Sequence, residues 1–359
     1  MQPTLFIGLG GTGIYVATRV NATLLENTST ANNVDGIFQI VCIDTYTHFV
    51  EDQNLGLPTR YIQNIGFNAL PFIEQACLND ENLQKWFDCE QWKRAALPPA
   101  HFDLALNPTI NRQLGRLCLY HDLAAGNYSK VRQSIHHTLL AIQQRTPTPP
   151  LVIICASLIG GTGSAITQDI AYLVHHTLAT MGSYAYVLGV FALGNVFASA
   201  LSRAPEERRI RFILNEVAAI KEIQHFARSR YEFGPQDHLI AFDNVEPFNS
   251  YWLIGGDRNE LYDGKWPNYY FAMIASELCT TILSEDIAQP PAMLELQSLT
   301  HFAERMFYRL KRLTKGFEYE YIRAPLTTDE IGDWKSMEDI YNRYLKDPNH
   351  LCPHNSREF

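Results

Sequence analysis

Two glycine-rich turns constrain the fold of this chain more than any other feature of its sequence. The first spans residues 8–13 (GLGGTG), after the apolar run TLFIG and before a segment with helical patterning. The second spans residues 160–164 (GGTGS), after the apolar run LVIICAS and before another helical segment. We call these segments the first and second glycine turns. A strand that ends in glycines at the start of a helix is typical of α/β proteins that bind phosphate groups.

Glycine suits such turns because a backbone without side chains approaches an anion closely, and the free N–H groups at the helix start donate to it. Two turns at the carboxyl ends of strands in one sheet would hold one polyphosphate from two sides. The candidates in these turns are Gly8, Gly10, Gly11, Thr12 and Gly13 in the first and Gly160, Gly161, Thr162, Gly163 and Ser164 in the second.

Other classes of nucleotide-binding protein fit the two turns less well. An NAD(P)-dependent oxidoreductase normally uses one such turn with an acidic residue about 20 positions further on, and Asp44 lies well beyond that spacing. No G-x-x-x-x-G-K-[ST] segment occurs, which excludes a P-loop. The first turn taken alone also fits a tight turn that only packs a helix on the sheet.

Apolar runs elsewhere predict the rest of the sheet. Residues 36–44, 185–194, 238–244 and 250–256 have the pattern of strands, and they alternate with helical patterns such as residues 205–226. Near-continuous Val and Ile runs are typical of parallel strands that are covered on both faces. We therefore predict an α/β fold with a doubly wound, mostly parallel sheet, whose ligands bind at the carboxyl ends of the strands.

The composition argues against several kinds of partner. The formal net charge is −9 and the pI about 5.7, so the chain lacks the basic surface that general nucleic-acid binding requires. No run approaches the roughly 18 apolar residues of a membrane span, and the first residues lack a signal-peptide pattern. The seven cysteines are scattered and odd in number, and no zinc motif occurs, which favours reduced thiols in a core. We expect a cytoplasmic globular protein.

Several segments resemble the nucleotide loops of the tubulin/FtsZ superfamily. Residues 5–20 (LFIGLGGTGIYVATRV) and 155–174 (CASLIGGTGSAITQDIAYLV) are similar to its first and fourth loops. Residues 41–49 and 107–122 resemble the second and third loops, and residues 250–261 resemble the strand and turn that reach the base. The likeness covers roughly residues 1–285 and is closest to the bacterial tubulin-like proteins that keep an I-G-L-G-G-T-G start.

The resemblance implies a guanine nucleotide, GTP or GDP, with Mg²⁺ as a further candidate. It also implies a homo-oligomer or filament, or docking on a partner protein. Asp44 and Thr45 would help to position Mg²⁺ or the phosphate loop, while Asn259 with Tyr269 or Tyr270 would contact or stack on the base. The complete set that the resemblance adds to the glycine turns is Asp44, Thr45, Asn107, Gly115, Arg116, Asn195, Arg203, Asn215, Asn259 and Tyr270.

The chain also departs from the family pattern. Ile159 and Ala165 replace the outer glycines of the second signature, and the acidic N-x-D-x-x-D loop of polymerising members is missing. Glu285 and Asp286 follow the expected central helix and are candidates to replace these acids, as general bases or as ligands of Mg²⁺-bound water. The alternative is that they form a solvated helix end. Whether GTP is hydrolysed therefore stays open.

Two regions are expected. Residues 1–288 would form the nucleotide-binding domain with its central helix, and residues 289–359 a helical C-terminal extension. An apolar stripe in the extension fits packing against the first domain, or a surface for a partner or for lateral assembly. The leading interpretation is a GTP-binding protein that assembles with itself or with partners, with interface-dependent hydrolysis as an added feature. The alternative is a non-hydrolysing, nucleotide-bound scaffold that recruits a partner through the extension.

Overall fold

A computed structural model describes most of the first 283 residues. The described residues are 1–27, 36–48, 56–89, 92, 102–106, 110–197, 201, 203–226, 229–243, 245–254 and 268–283. The expected C-terminal extension, residues 289–359, lies outside them, so the expected division into two regions stays a prediction.

A six-stranded parallel sheet forms the centre of the fold. Its strands, in chain order, are β1 (Thr4–Leu9), β2 (Phe38–Asp44), β3 (Ile62–Asn64), β4 (Leu151–Ser157), β5 (Tyr186–Ala192) and, last in the chain, β8 (Ser250–Ile254). Their spatial order is β3-β2-β1-β4-β5-β8, and each neighbouring pair is parallel. The predicted doubly wound, mostly parallel sheet is confirmed.

Helices cover both faces of this sheet. They are α1 (Gly10–Asn27), α2 (Ala69–Asn79), α3 (Glu81–Gln84), α4 (Arg112–Ala124), α5 (Lys130–Arg145), α6 (Gly163–Thr180), α7 (Glu206–Phe226) and α8 (Asn268–Leu283). Along β1, Leu5, Ile7 and Leu9 belong to the core shared with α4 to α7, whereas Phe6 belongs to the core shared with α1 and α8. This alternation of side chains along a strand is what produces two apolar layers from one sheet.

One predicted strand lies elsewhere. Residues 238–244 were expected to add a strand to the main sheet, but only β7 (Ile240–Phe242) is extended, and it pairs antiparallel with β6 (Tyr231–Phe233) in a separate two-stranded sheet. The sequence did not predict β6 or β3. Strands of three residues are too short to show a periodic pattern, which explains why these were missed.

The cysteines follow the prediction with one exception. Cys42, Cys118, Cys155 and Cys279 are free and buried, as expected of small core residues. Cys89 takes part in a disulfide, so the expectation of reduced thiols throughout is wrong at that position. Among the described helices, none is long and apolar enough to span a membrane.

The strand register places the functional loops. Gly8 of β1 is level with Cys42 of β2 and with Cys155 of β4, and Cys155 is level with Val190 of β5. The carboxyl ends of these four strands therefore share one edge of the sheet. The segments that leave this edge contain both glycine turns, which is where an open α/β sheet binds its ligand.

Candidate nucleotide-binding site

The two glycine turns meet at this edge of the sheet. Gly10 has φ 67°, a left-handed conformation that favours glycine, and a Cβ atom added there would lie 3.2 Å from the backbone nitrogen of Gly163. A Cβ atom added to Gly163 would lie 2.7 Å from the carbonyl oxygen of Leu9. The close contact leaves no room for side chains, so the glycines bring the two backbones together.

Both turns offer backbone donors. Helix α1 begins at Gly10 and α6 at Gly163, and the first N–H groups of a helix have no partner within it. In the described part of the chain, the N–H groups of Gly160, Gly161 and Thr162 donate to no backbone carbonyl. Unpaired donors and two positive helix ends at one place favour an anion there.

The loop after β2 is joined to the second turn by a hydrogen bond between hydroxyls. Thr45 Oγ1 and Thr162 Oγ1 lie 2.8 Å apart, and both residues are buried. The Asp44 carboxylate accepts from the backbone N–H groups of Thr45 at 2.6 Å and Tyr46 at 3.3 Å. Burial of the Asp44 side chain, which is only 5% exposed, raises its pKa to about 6 despite these hydrogen bonds.

The raised pKa of Asp44 predicts a pH-dependent stability of the nucleotide-free chain. The folded chain binds this proton more tightly than the unfolded chain does, so stability is lost as pH rises from about 4 to about 6. Asp44→Asn removes the titration while keeping the oxygen that accepts from Thr45. At about pH 7.5 we expect the free energy of unfolding of Asp44→Asn to exceed that of the unmodified chain by about 2 kcal/mol.

Urea unfolding at several pH values between about 4 and 8 measures this difference, which should vanish at the acidic end. The matched control is Asp237→Asn, at an exposed position in a short 3-10 helix (Gln236–His238). If the free energy of unfolding of Asp44→Asn depended on pH in the same way as that of the unmodified chain, the pKa of Asp44 would not be raised in the folded chain.

The start of α4 packs against the second glycine turn. Asn111 caps this helix by accepting from the N–H groups of Gln113 and Leu114 at 2.9 and 3.3 Å. A Cβ atom added to Gly115 would lie 2.3 Å from the carbonyl oxygen of Gly161. The predicted residue Gly115 thus permits the close approach of α4 to the turn.

Asn215, a predicted nucleotide ligand, supports the second glycine turn from α7. Its buried side-chain amide donates to the carbonyl oxygens of Ile110 at 2.9 Å, Ile159 at 2.8 Å and Gly160 at 3.3 Å. These carbonyls belong to the segment before α4, to the residue before the second turn and to the first residue of that turn. The contacts give Asn215 a positioning role behind the second turn.

Arg116 is also engaged behind the site. Its guanidinium donates to the Asp169 carboxylate through Nε at 2.9 Å and Nη2 at 2.7 Å. It lies over the rings of Trp86 and Phe233, with distances of 4.9 and 4.3 Å to the ring centroids. These contacts link α4 to α6 and engage the Arg116 guanidinium in an ion pair between the two helices.

The remaining predicted residues are spread around the edge or lie outside the described part. Arg203 is exposed in the segment before α7, and Tyr270 is buried in the apolar layer between α1 and α8. The backbone of Asn195 lies in a 3-10 helix after β5, Gly194–Phe197, but its side chain is outside the described residues. The other predicted residues outside them are Asn107, Asn259, Glu285 and Asp286.

An aromatic group beside the first glycine turn was not predicted. Tyr15, which is 40% exposed, stacks on Phe271 of α8 with ring centroids 6.1 Å apart and an interplanar angle of 9°. Phe197, after β5, also contacts Phe271, at 6.1 Å between centroids. The available signal was an aromatic residue two positions after the first glycine turn, with apolar residues on either side of it.

Arg112 and Glu222 were missed as well. The Arg112 guanidinium donates to Ser164 in the second turn and pairs with Glu222 of α7. The two charged residues are separated by 110 positions in the chain, so no local motif connects them.

A family model for tubulin-like proteins matches residues 5–307. Solved structures that match this chain include CetZ from Methanosaeta thermophila strain DSM 6194, at 12% identity, with 79% of this chain and 54% of that chain covered and a TM-score of 0.45. A GTPγS-bound protofilament of CetZ2 from Haloferax volcanii matches at 12% identity, with 79% and 58% covered and a TM-score of 0.41.

TubZ of Clostridium botulinum phage c-st is a third solved structure that matches this chain. It matches at 12% identity, with 77% of this chain and 58% of that chain covered and a TM-score of 0.39. The chain thus spans little more than half the length of these solved chains. Comparison with curated proteins gives no significant match.

Proposed function

Because the chain belongs to the tubulin-like family, we propose that it binds a guanine nucleotide, GTP or GDP, and assembles with itself or with a partner protein in a nucleotide-dependent way. The observation that supports this proposal most is the contact between Gly10 and Gly163, which brings two helix starts to one point. A polyphosphate is the ligand whose several charges suit two sets of backbone donors.

In this proposal the backbone N–H groups of the two glycine turns hold the phosphates. The hydroxyl of Thr162 lies in the second turn and is already aligned by Thr45. The base would lie on the side of the first turn where Tyr15 exposes its ring, since an aromatic ring stacks on a purine irrespective of its hydrogen-bonding edge. The preference for guanine rests on the family.

Mg²⁺ fits the same edge of the sheet by the chemistry of its donors. The Asp44 carboxylate and the hydroxyl of Thr45 are oxygen ligands of the kind that Mg²⁺ prefers, and phosphates commonly complete its coordination. Within the described residues no cluster of three His, Cys, Asp or Glu side chains could hold a metal ion alone. Bound Mg²⁺ would offset the repulsion between the phosphates and Asp44.

The nucleotide released from denatured, purified protein tests the proposal directly. We expect GTP or GDP at close to one molecule per chain, and release of NAD(P) or of no nucleotide would contradict the proposal.

Turnover of GTP per chain, measured against protein concentration, distinguishes nucleotide-dependent assembly with hydrolysis from the scaffold alternative. Turnover that rises with concentration supports an active site completed by a neighbouring chain, with Glu285 and Asp286 as candidate acids. Bound nucleotide without turnover favours the scaffold alternative. The cytoplasmic location stays a prediction.

A further inference from the structure

Helix α7 holds the second glycine turn from behind at two points. Asn215 donates to the carbonyl oxygens of Ile159 and Gly160, at the amino end of the turn. Glu222 lies two helical turns further along α7 and reaches the other end of the same glycine turn through Arg112. Helix α7 is therefore connected to both ends of the segment that we assign to the phosphates, directly through Asn215 and through Arg112 from Glu222.

The Arg112 guanidinium bridges two helices. Nε donates to Ser164 Oγ at 3.1 Å and Nη2 to the Ser164 carbonyl oxygen at 2.9 Å, both in the first turn of α6. Nη1 donates to Glu222 Oε1 at 2.9 Å, and Nη2 also contacts Glu222 Oε2. The planar guanidinium thus fixes the distance and orientation between α7 and the start of α6 in a way that a single ammonium group cannot.

Burial makes this pair dependent on both partners. The Arg112 side chain is 12% exposed, whereas that of Glu222 is 40% exposed. A largely buried guanidinium without a carboxylate is costly, so loss of Glu222 would turn Arg112 towards solvent and away from Ser164. The backbone of Arg112 is fixed, because it directly follows the capping residue Asn111.

We propose that Arg112 and Glu222 form a positioning pair that clamps the second glycine turn onto α7 and so sets the rate at which the nucleotide leaves. This inference rests on the proposed function, since the turn must hold phosphate for its position to control release. With this pair in place, a structural change that moves α7 would also move the turn that we assign to the phosphates. Neither residue contacts the nucleotide in this arrangement.

Nucleotide release from the full chain tests the pair. A fluorescent GTP analogue is loaded and chased with excess GTP, and its dissociation rate is followed for Glu222→Gln, Arg112→Lys and the double variant. We expect each single variant to release the analogue about tenfold faster and the double variant to release it no faster than either. Lysine keeps the positive charge of Arg112 but cannot bridge Ser164 and Glu222 as the guanidinium does. Faster release from Arg112→Lys than from the unmodified chain therefore identifies the bridging geometry, and not the charge, as the cause.

The matched control is Glu232→Gln in β6, which removes a partly buried carboxylate that pairs with the exposed Lys85 and Arg230. Its release rate should stay within about twofold of that of the unmodified chain. Release rates within twofold for Glu222→Gln and Arg112→Lys would overturn the inference, as would a double variant whose effects simply multiply.

Amide hydrogen exchange of the nucleotide-free chain provides a readout that does not need nucleotide. Residues 158–166 should exchange at least fivefold faster in Glu222→Gln, while β4 and the Glu232→Gln control remain unchanged. Unchanged exchange in this segment would overturn the clamp. If the unmodified chain bound no guanine nucleotide but the segment exchanged faster, the clamp would stand and the proposed function would fail.

Discussion

Replacing Gly161 with aspartate is expected to abolish guanine-nucleotide binding and to leave the chain folded. Gly161 lies between two contacts that fix the second glycine turn, since its carbonyl oxygen faces Gly115 and Thr162 beside it bonds to Thr45. A carboxylate at this position would occupy the place of a phosphate and repel the others. The same carboxylate near the positive end of α6 favours the helix, so a general loss of stability is not expected.

Titration of the nucleotide-free variant with a fluorescent GTP analogue measures the effect, and we expect affinity at least about 100-fold weaker, which corresponds to about 2.7 kcal/mol. The control is Gly182→Asn, at an exposed position with φ 63° where an added Cβ meets no atom within 4 Å. Asparagine tolerates this left-handed conformation. A folded Gly161→Asp chain with unaltered affinity would show that the turn does not hold the phosphates.

The strands and helices that were predicted correctly are those whose apolar residues form a long stripe on one face or an uninterrupted run. β4 occupies residues 151–157 as predicted, because a strand covered on both faces is apolar without interruption. Helix α7 begins one residue after Pro205, where proline and the acids behind it favour a helix start. Both signals are local, so a single sequence is sufficient to place these elements.

The contact between the glycine turns was also predictable, but for a topological reason. Parallel strands that share a sheet place their carboxyl ends at one edge, so two turns that each follow such a strand must lie on the same side. Which strands are neighbours was not predicted. The structure places β1 beside β4, and that pairing brings Gly10 to Gly163.

The side chains behind the site could not be predicted because their partners are distant in the chain. Thr45 meets Thr162 across 117 positions, and the local patterns around each give no indication of the other. Arg116 shows the consequence of this limit. Its place in a G-R element implied a phosphate ligand, whereas the structure pairs it with Asp169 on the buried side of α6.

The pair between Arg116 and Asp169 leads to the largest expected effect on stability. The Asp169 side chain is only 1% exposed, and it accepts from the Arg116 guanidinium and, at 2.5 Å, from the Tyr231 hydroxyl. Asp169→Asn keeps the size of the side chain but leaves the arginine charge without a carboxylate. Breaking a buried ion pair from one side typically costs about 3–5 kcal/mol, and the rings of Trp86 and Phe233 over the guanidinium favour the lower end.

Urea unfolding of the nucleotide-free chain should therefore show a loss of about 3 kcal/mol for Asp169→Asn. Glu232→Gln, which breaks ion pairs with the exposed Lys85 and Arg230, should lose less than about 1 kcal/mol. Replacing both partners, as in Arg116→Met with Asp169→Leu, should recover part of the loss, because it leaves no buried charge unpaired although the buried Tyr231 hydroxyl loses its acceptor. A loss below about 1 kcal/mol for Asp169→Asn would mean that Arg116 finds another partner or solvent in the variant, and that α4 and α6 are held together by apolar packing instead.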